Sequence, residues 1–172
     1  MQADINANVD DVGWIESAGG PFVALSASEL QYWTGSSGSD YDDACEVDDY
    51  LGLLRWGQGA RRGIALVVGD EPLPTTFLPD IGCLLQWQYA PSDADLIAAA
   101  RSAFDAGLRW EEGPIYEFAD RLVLIDAAAT AESLDRNEML DLPLVPGRYQ
   151  CSSAGFSEGG EVAGRLHRFS RL

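Results

Sequence analysis

Lysine is missing from this 172-residue chain, and all eleven of its basic residues are arginine. No basic residue of either kind stands before Arg55. A formal charge of −17 therefore argues against partners that present phosphate, both nucleic acid and anionic membrane, because binding them requires cations. Histidine occurs once, so a His-rich metal centre and a His-based catalytic triad would both rest on His167. In the pattern Arg165-Leu166-His167-Arg168 it reads as a structural or surface residue. The three cysteines, Cys45, Cys83 and Cys151, are far apart and form no CxxC pair. They exclude a disulfide framework and fit small buried hydrophobes in a reducing cytoplasm. No apolar run approaches the ~20 residues of a membrane span, and no basic start precedes an apolar segment, so neither anchor nor signal peptide is expected.

What is present is acid, unevenly placed. Residues 1–54 carry eleven acids and no base, residues 55–136 thirteen acids and seven arginines, and residues 137–172 four of each. The densest run is Asp40-Tyr41-Asp42-Asp43-Ala44-Cys45-Glu46-Val47-Asp48-Asp49-Tyr50. Crowded like charges repel and do not stabilise a fold, whereas their field attracts cationic partners. A solvated helix face is the plain explanation of such a run. Two details go beyond it: no Lys or Arg stands at i+4 to offset the acids, and Trp33, Tyr41 and Tyr50 flank them as interface anchors would. The run does not make a calcium loop. Ala44 takes a ligand position, Cys45 replaces the required glycine and Leu51 the closing glutamate. Gly57-Gln58-Gly59 lacks the remaining features of a phosphate loop.

Hydrophobic content of 47% supports a folded chain. Residues 1–13 read as a loose leader, and 14–172 as a single domain. Phe22–Leu25 reads as a strand, Ser28–Trp33 as a short helix stopped by Gly35, and Asp40–Leu51 as a helix. That helix would anchor through Ala44, Val47 and Leu51, display Asp42, Glu46 and Asp49, and end at Gly52. Gly63–Gly69 reads as a central strand and Cys83–Tyr89 as an alternating one with a polar face at Leu84, Gln86 and Gln88. Ser92–Ala106 is a capped helix stopped by Gly107. Strands follow at Ile115–Phe118, Leu122–Asp126, Arg148–Ser153 and Val162–Phe169. The order predicts an α+β fold, mainly antiparallel sheet packed with two or three helices. An echo of Trp14-Ile15-Glu16…Gly20-Pro21 in Trp110-Glu111-Glu112-Gly113-Pro114 leaves a degenerate duplication open.

Trp14-Ile15-Glu16-Ser17-x-Gly19-Gly20-Pro21, Trp33-x-Gly35, the block from Asp40 to Gly52, Gly69-Asp70-Glu71-Pro72-Leu73-Pro74-Thr75 and Pro146-Gly147-Arg148-Tyr149 together carry a family resemblance. From Trp14 to Phe169 the chain resembles family twenty-one of the immunity proteins of bacterial polymorphic toxin systems. Arg55–Arg62 departs from the pattern as an insertion-like stretch. The resemblance implies a cytoplasmic antidote that binds a cognate toxin domain, without catalysis, metal or cofactor, and it carries no contact residues. Charge alone then selects Asp42, Glu46, Asp48 and Asp49 as the charged centre or rim of the interface, with Tyr41, Tyr50 and Trp33 as anchors. A basic nuclease is the plausible target, because a toxin that grips phosphate presents Arg and Lys. Two other classes stay open: a small hydrolase using clustered carboxylates, and a broad DNA-mimic inhibitor.

Overall fold

Phe22-Val23-Ala24-Leu25-Ser26 is buried at every position, so both faces of this strand (β1, Phe22–Ser26) must be covered. The computed structural model, which describes residues 12–69 and 71–172, shows how. The expected leader falls largely in residues 1–11, outside the described residues, as does Asp70.

Two five-stranded antiparallel sheets stack face to face. The first has the order β2-β3-β1-β7-β8, with β2 Leu51–Gln58, β3 Arg61–Val68, β7 Leu122–Asp126 and β8 Leu140–Leu142. The second has the order β4-β5-β10-β9-β6, with β4 Thr75–Leu78, β5 Cys83–Tyr89, β6 Glu111–Phe118, β9 Gly147–Glu158 and β10 Val162–Arg171. Period-2 alternation divides each strand between two apolar layers. Phe22, Ala24, Leu66, Leu84, Tyr116, Tyr149 and Phe169 meet between the sheets. Val23, Leu25, Ala65, Val67 and Ile125 face outward from the first sheet, under Trp33, Trp56 and Ala44. Cys83, Leu85 and Leu166 face outward from the second and are covered by Leu96, Ile97 and Ala100 of α2 (Asp93–Ala106). The result is an α+β domain of four layers, helical segments outside and sheets inside.

The long helix α2 forms where its signals stand: Ser92 accepts a hydrogen bond from the Asp95 N–H, and Gly107 ends it. The run from Gly63 to Val68 lies in β3, an inner strand, where Ala65, Leu66, Val67 and Val68 are buried; Gly69 follows the strand. The Arg55–Arg62 stretch is the turning end of the β2–β3 hairpin, in uninterrupted register from Leu51↔Val68 to Gln58↔Arg61. The first copy of the Trp/Gly-Pro echo leads into β1, an inner strand, whereas the second, from Glu111 on, runs within β6, an edge strand, so the two positions are not equivalent.

Four expectations are corrected. Cys83 and Cys151 are buried, but Cys45 is exposed and is no core residue. The polar face of β5 is only partly at the surface: Leu84 and Gln86 are buried between the sheets, because the sheet is covered on both sides there, and Gln88 alone is exposed. The segment after Ser26 is a 3-10 helix over Ala27–Tyr32, starting before Ser28. The acidic helix, α1, spans only Asp40–Cys45. Leu51 does not extend it but opens β2, buried opposite Val68. Gly52 is therefore no helix stop. It is a strand residue over which Val47 packs, so closely that a Cβ there would come within 2.4 Å of Val47 Cγ1.

The loop leading to α1 is held at Gly35. Its φ is +52°, and an added Cβ would meet the Ala129 carbonyl oxygen at 2.2 Å, while the Ser36 N–H donates to Ala128 O at 3.1 Å. Gly59, at the β2–β3 turn, has φ +63° but open space around it. Gly59→Ala should thus cost only the left-handed backbone penalty, about 1 kcal/mol. Gly35→Ala adds a clash with backbone and should cost at least about 2–3 kcal/mol, read by urea or thermal melts.

Candidate partner-binding surface

The acidic run divides once α1 ends at Cys45. Asp42 and Asp43 lie on the helix, and Glu46, Asp48 and Asp49 on the connection into β2; all five are exposed. Among the described residues no ion pair engages an acid of this run; the pairs present join Arg101 to Asp80 and Arg121 to Asp141. The carboxylates therefore project a field that no neighbouring cation cancels by direct pairing.

Asp40 is different in kind. It is buried, and one carboxylate oxygen accepts from both the Thr34 N–H at 2.8 Å and the Thr34 hydroxyl at 2.7 Å. The first acid of the run thus ties α1 to the preceding loop.

The aromatic residues separate as well. Trp33 is a core residue: its indole N–H donates to Ala127 O at 3.0 Å, and its ring meets Trp56 edge-on at 5.3 Å. It supports the surface from beneath and is not available as an exposed anchor, because the outer layer of the first sheet needs a large apolar residue there. Tyr41 is half-buried, with its ring over Gly20, where a Cβ would come within 2.6 Å. Tyr50 is 39% exposed, and the Arg165 guanidinium lies 3.6 Å above its ring centroid. That contact brings a cation from β10 against the acidic connection, a juxtaposition of residues far apart in sequence.

Beside Tyr50 begins a groove of about 450 Å³ between the edge strands β2 and β6, lined by Asp49, Tyr50, Leu53, Glu111, Glu112 and Pro114 among others. Glu111 and Glu112 are exposed, as are Leu53 and, on the same face of the hairpin, Ile64. Sequence reasoning did not select these four. Glu111 and Glu112 stood in the Trp/Gly-Pro echo, but nothing local says that β6 comes to lie beside β2. Further along β2 a larger cleft, about 800 Å³, includes Glu29, Arg55, Arg62, Glu117 and Asp120. Burial there, and then the charge of Asp120, pushes the Glu29 carboxyl up from its ordinary range. Ser28 holds Asp120 through its hydroxyl.

His167 takes no part in any of these surfaces. It is fully buried between the sheets, with Nδ1 2.7 Å from Ser153 Oγ and Nε2 2.7 Å from Gln86 Oε1. With Gln86 Oε1 as acceptor, Nε2–H donates and Nδ1 accepts from the serine hydroxyl. Burial, and secondly the charge of Arg165, pushes its pKa down to about 3, so the ring is neutral.

A surface of unpaired acids with half-exposed aromatic and apolar side chains has the chemistry of a binding face, and the family comparison supplies its class. The protein is an immunity protein, of the class that neutralises a toxin. It belongs to the family described as Immunity protein 21, whose model matches residues 13–162. No curated protein and no solved structure matches the chain. Membership in that family supports a toxin-neutralising role in general. Among the described residues, no helix is long and apolar enough to cross a membrane.

The split within the run is measurable. Asp40→Ala should destabilise by about 1–2 kcal/mol, because the two charge-assisted hydrogen bonds that tie α1 to the Thr34 N–H and hydroxyl are lost, whereas Asp42→Ala should change stability by less than about 0.5 kcal/mol. Equal urea midpoints for the two variants would contradict the assignment of Asp40 to the fold. For His167 the folded state refuses a proton that the unfolded chain accepts between its ordinary 6.5 and about 3. Its contribution to stability is complete above pH 6.5 and is lost as pH falls toward 3. Its ring resonances should therefore stay constant from pH 8 to 5. Stability of His167→Gln should fall less steeply below pH 6 than that of the unaltered protein, by up to one proton, or about 1.4 kcal/mol per pH unit.

Proposed function

We propose that this protein is a cytoplasmic antidote that neutralises its cognate toxin by docking the acidic surface around α1 on a basic face of the toxin domain, that of a nuclease. The observation that carries this reading is the unpaired, exposed set Asp42, Glu46, Asp48 and Asp49. It lies at the end of a strand that continues into the apolar Leu53. Acids at a rim with an aromatic and aliphatic centre match the anatomy of a specific protein interface. In this reading Tyr50 and the half-buried Tyr41 are anchors, Trp33 positions α1 from the core, and no nucleic acid, membrane, metal or cofactor takes part.

The acids act mainly on encounter. Long-range attraction raises association rates and falls steeply with salt, whereas dissociation depends on the close contacts. The probe is an inactivated toxin domain taken from the reading frame next to this chain's own, where a large secreted protein with a variable C-terminal domain is expected. Replacing Asp42 by Asn together with Glu46 by Gln should slow its association on the order of tenfold at low ionic strength, with the difference shrinking as salt rises. An unchanged on-rate at low salt would sink the assignment of these acids.

One observation favours a second reading, the carboxylate hydrolase: Glu29 is a carboxyl with a raised pKa in a cleft beside Asp120. Glu29→Gln distinguishes the two, since an antidote acting by binding keeps its protection of toxin-expressing cells.

A further inference from the structure

A two-sheet sandwich has four edge strands, each a row of backbone donors and acceptors open to pairing with another chain. Three of the four are guarded here. The edge strand β4 has only four residues, and its outer side is bridged by Ile15, whose N–H and C=O each bond Thr75 at 2.9 Å. The edge strand β8 has three residues and runs into Pro143. The edge strand β6 contains Pro114 and a register shift between Glu112 and Ile115.

The fourth, β2, carries none of these devices. It is eight residues long, free of proline, and in unbroken register with β3 throughout. Leu53 in its middle is 42% exposed, and Ile64 beside it on the hairpin 41%. Among the described residues, no hydrogen bond outside the β2–β3 pairing engages Leu51–Gln58. Across from it, β6 lies close at Leu51, where a Cβ on Gly113 would be 3.6 Å from the leucine Cβ, yet the two strands are not paired. The groove of about 450 Å³ has β2 on one wall and β6 on the other, whereas the cleft of about 800 Å³ is lined by β2 and β6 residues together with β3 and the segment after β1. An eight-residue strand edge spans roughly 26 Å, so the open edge of β2 matches an extended segment and not a small molecule.

Charge at the Tyr50 end of β2 identifies the occupant, Arg55 and Arg62 lying toward the other end of the hairpin. Asp49, Glu111 and Glu112 line the entrance, all exposed, and none is in an ion pair among the described residues. Resting on the reading of this protein as an antidote, the geometry points to β2 as the edge on which an extended, Arg- or Lys-bearing segment of the toxin domain adds a sixth strand to the first sheet. Main-chain hydrogen bonds supply affinity, Leu53 and Ile64 the apolar contact, and the three acids the register.

The test uses the full chain and the same inactivated toxin domain. Hydrogen exchange on binding should slow amides within residues 51–58, the free-edge ones that exchange quickly in the isolated protein. Leu53→Glu replaces an exposed side chain, so its urea midpoint should match that of the unaltered protein, and its affinity for the toxin domain should fall at least tenfold. A purely electrostatic contact elsewhere predicts the reverse, since the variant carries one more acid. Toxin binding with residues 51–58 unprotected and Leu53→Glu binding as tightly would overturn the strand addition and leave the acidic docking reading standing. Failure of the unaltered chain to bind the toxin domain at all would overturn both. Concentration-dependent protection of residues 51–58 in the isolated chain, with a dimeric mass, would assign the edge to a second copy and overturn the proposal.

Discussion

Burial of Leu51 between the two sheets, opposite Val68, is the constraint on which the acidic surface depends. Once Leu51 is committed to β2, the helix begun at Asp40 has to end several residues earlier, and it does so at Cys45. Pairing along eight residues of the hairpin, with Leu51 and Trp56 each buried on a different layer, outweighs a further turn of helix on a segment crowded with like charges. Glu46, Asp48 and Asp49 are consequently displayed on an irregular connection and not as a helical stripe.

The same commitment explains why the carboxylates of one run differ so much in role. Asp40 is turned inward to the Thr34 donors, while its successors face water. Trp33, under the run, fills the outer layer against Trp56. The surface is thus built in depth: a rigid aromatic layer, a one-carboxylate tie, and then unpaired acids. Placing charge on an anchored element keeps its field directed, which matters for steering more than for affinity. Between the sheets the polar line of Ser153, His167 and Gln86 is fully paired, and Tyr116 reaches from β6 to the Ala24 and Ile64 carbonyl oxygens of the facing sheet. Satisfied polar groups of this kind restrict how the two sheets can be stacked.

The family model's match to residues 13–162 bears out the resemblance that the Trp-x-Glu, Gly-Pro and acidic motifs carry. The motifs are mostly structural in this protein. Gly35 fits under the Ala128–Ala129 carbonyls, Gly20 under Tyr41, and Gly52 under Val47. That is why they identify the fold while leaving the contact residues to be found from surface chemistry.

By itself the sequence determined the strand-rich α+β class, the capped helix Asp93–Ala106, the inner position of β3, and the polarised charge. Each of these is written in local periodicity, in capping residues or in composition. Only the tertiary structure decided that Leu51 leaves the helix, that the Leu84–Gln86 face of β5 is buried, that Trp33 lies in the core, and that β6 comes to stand beside β2 with Glu111 and Glu112 facing Asp49. The reason is that such facts depend on pairing between strands distant in the chain. Period-2 alternation tells which residues share a face, but not which sheet will cover that face or which edge will be left open.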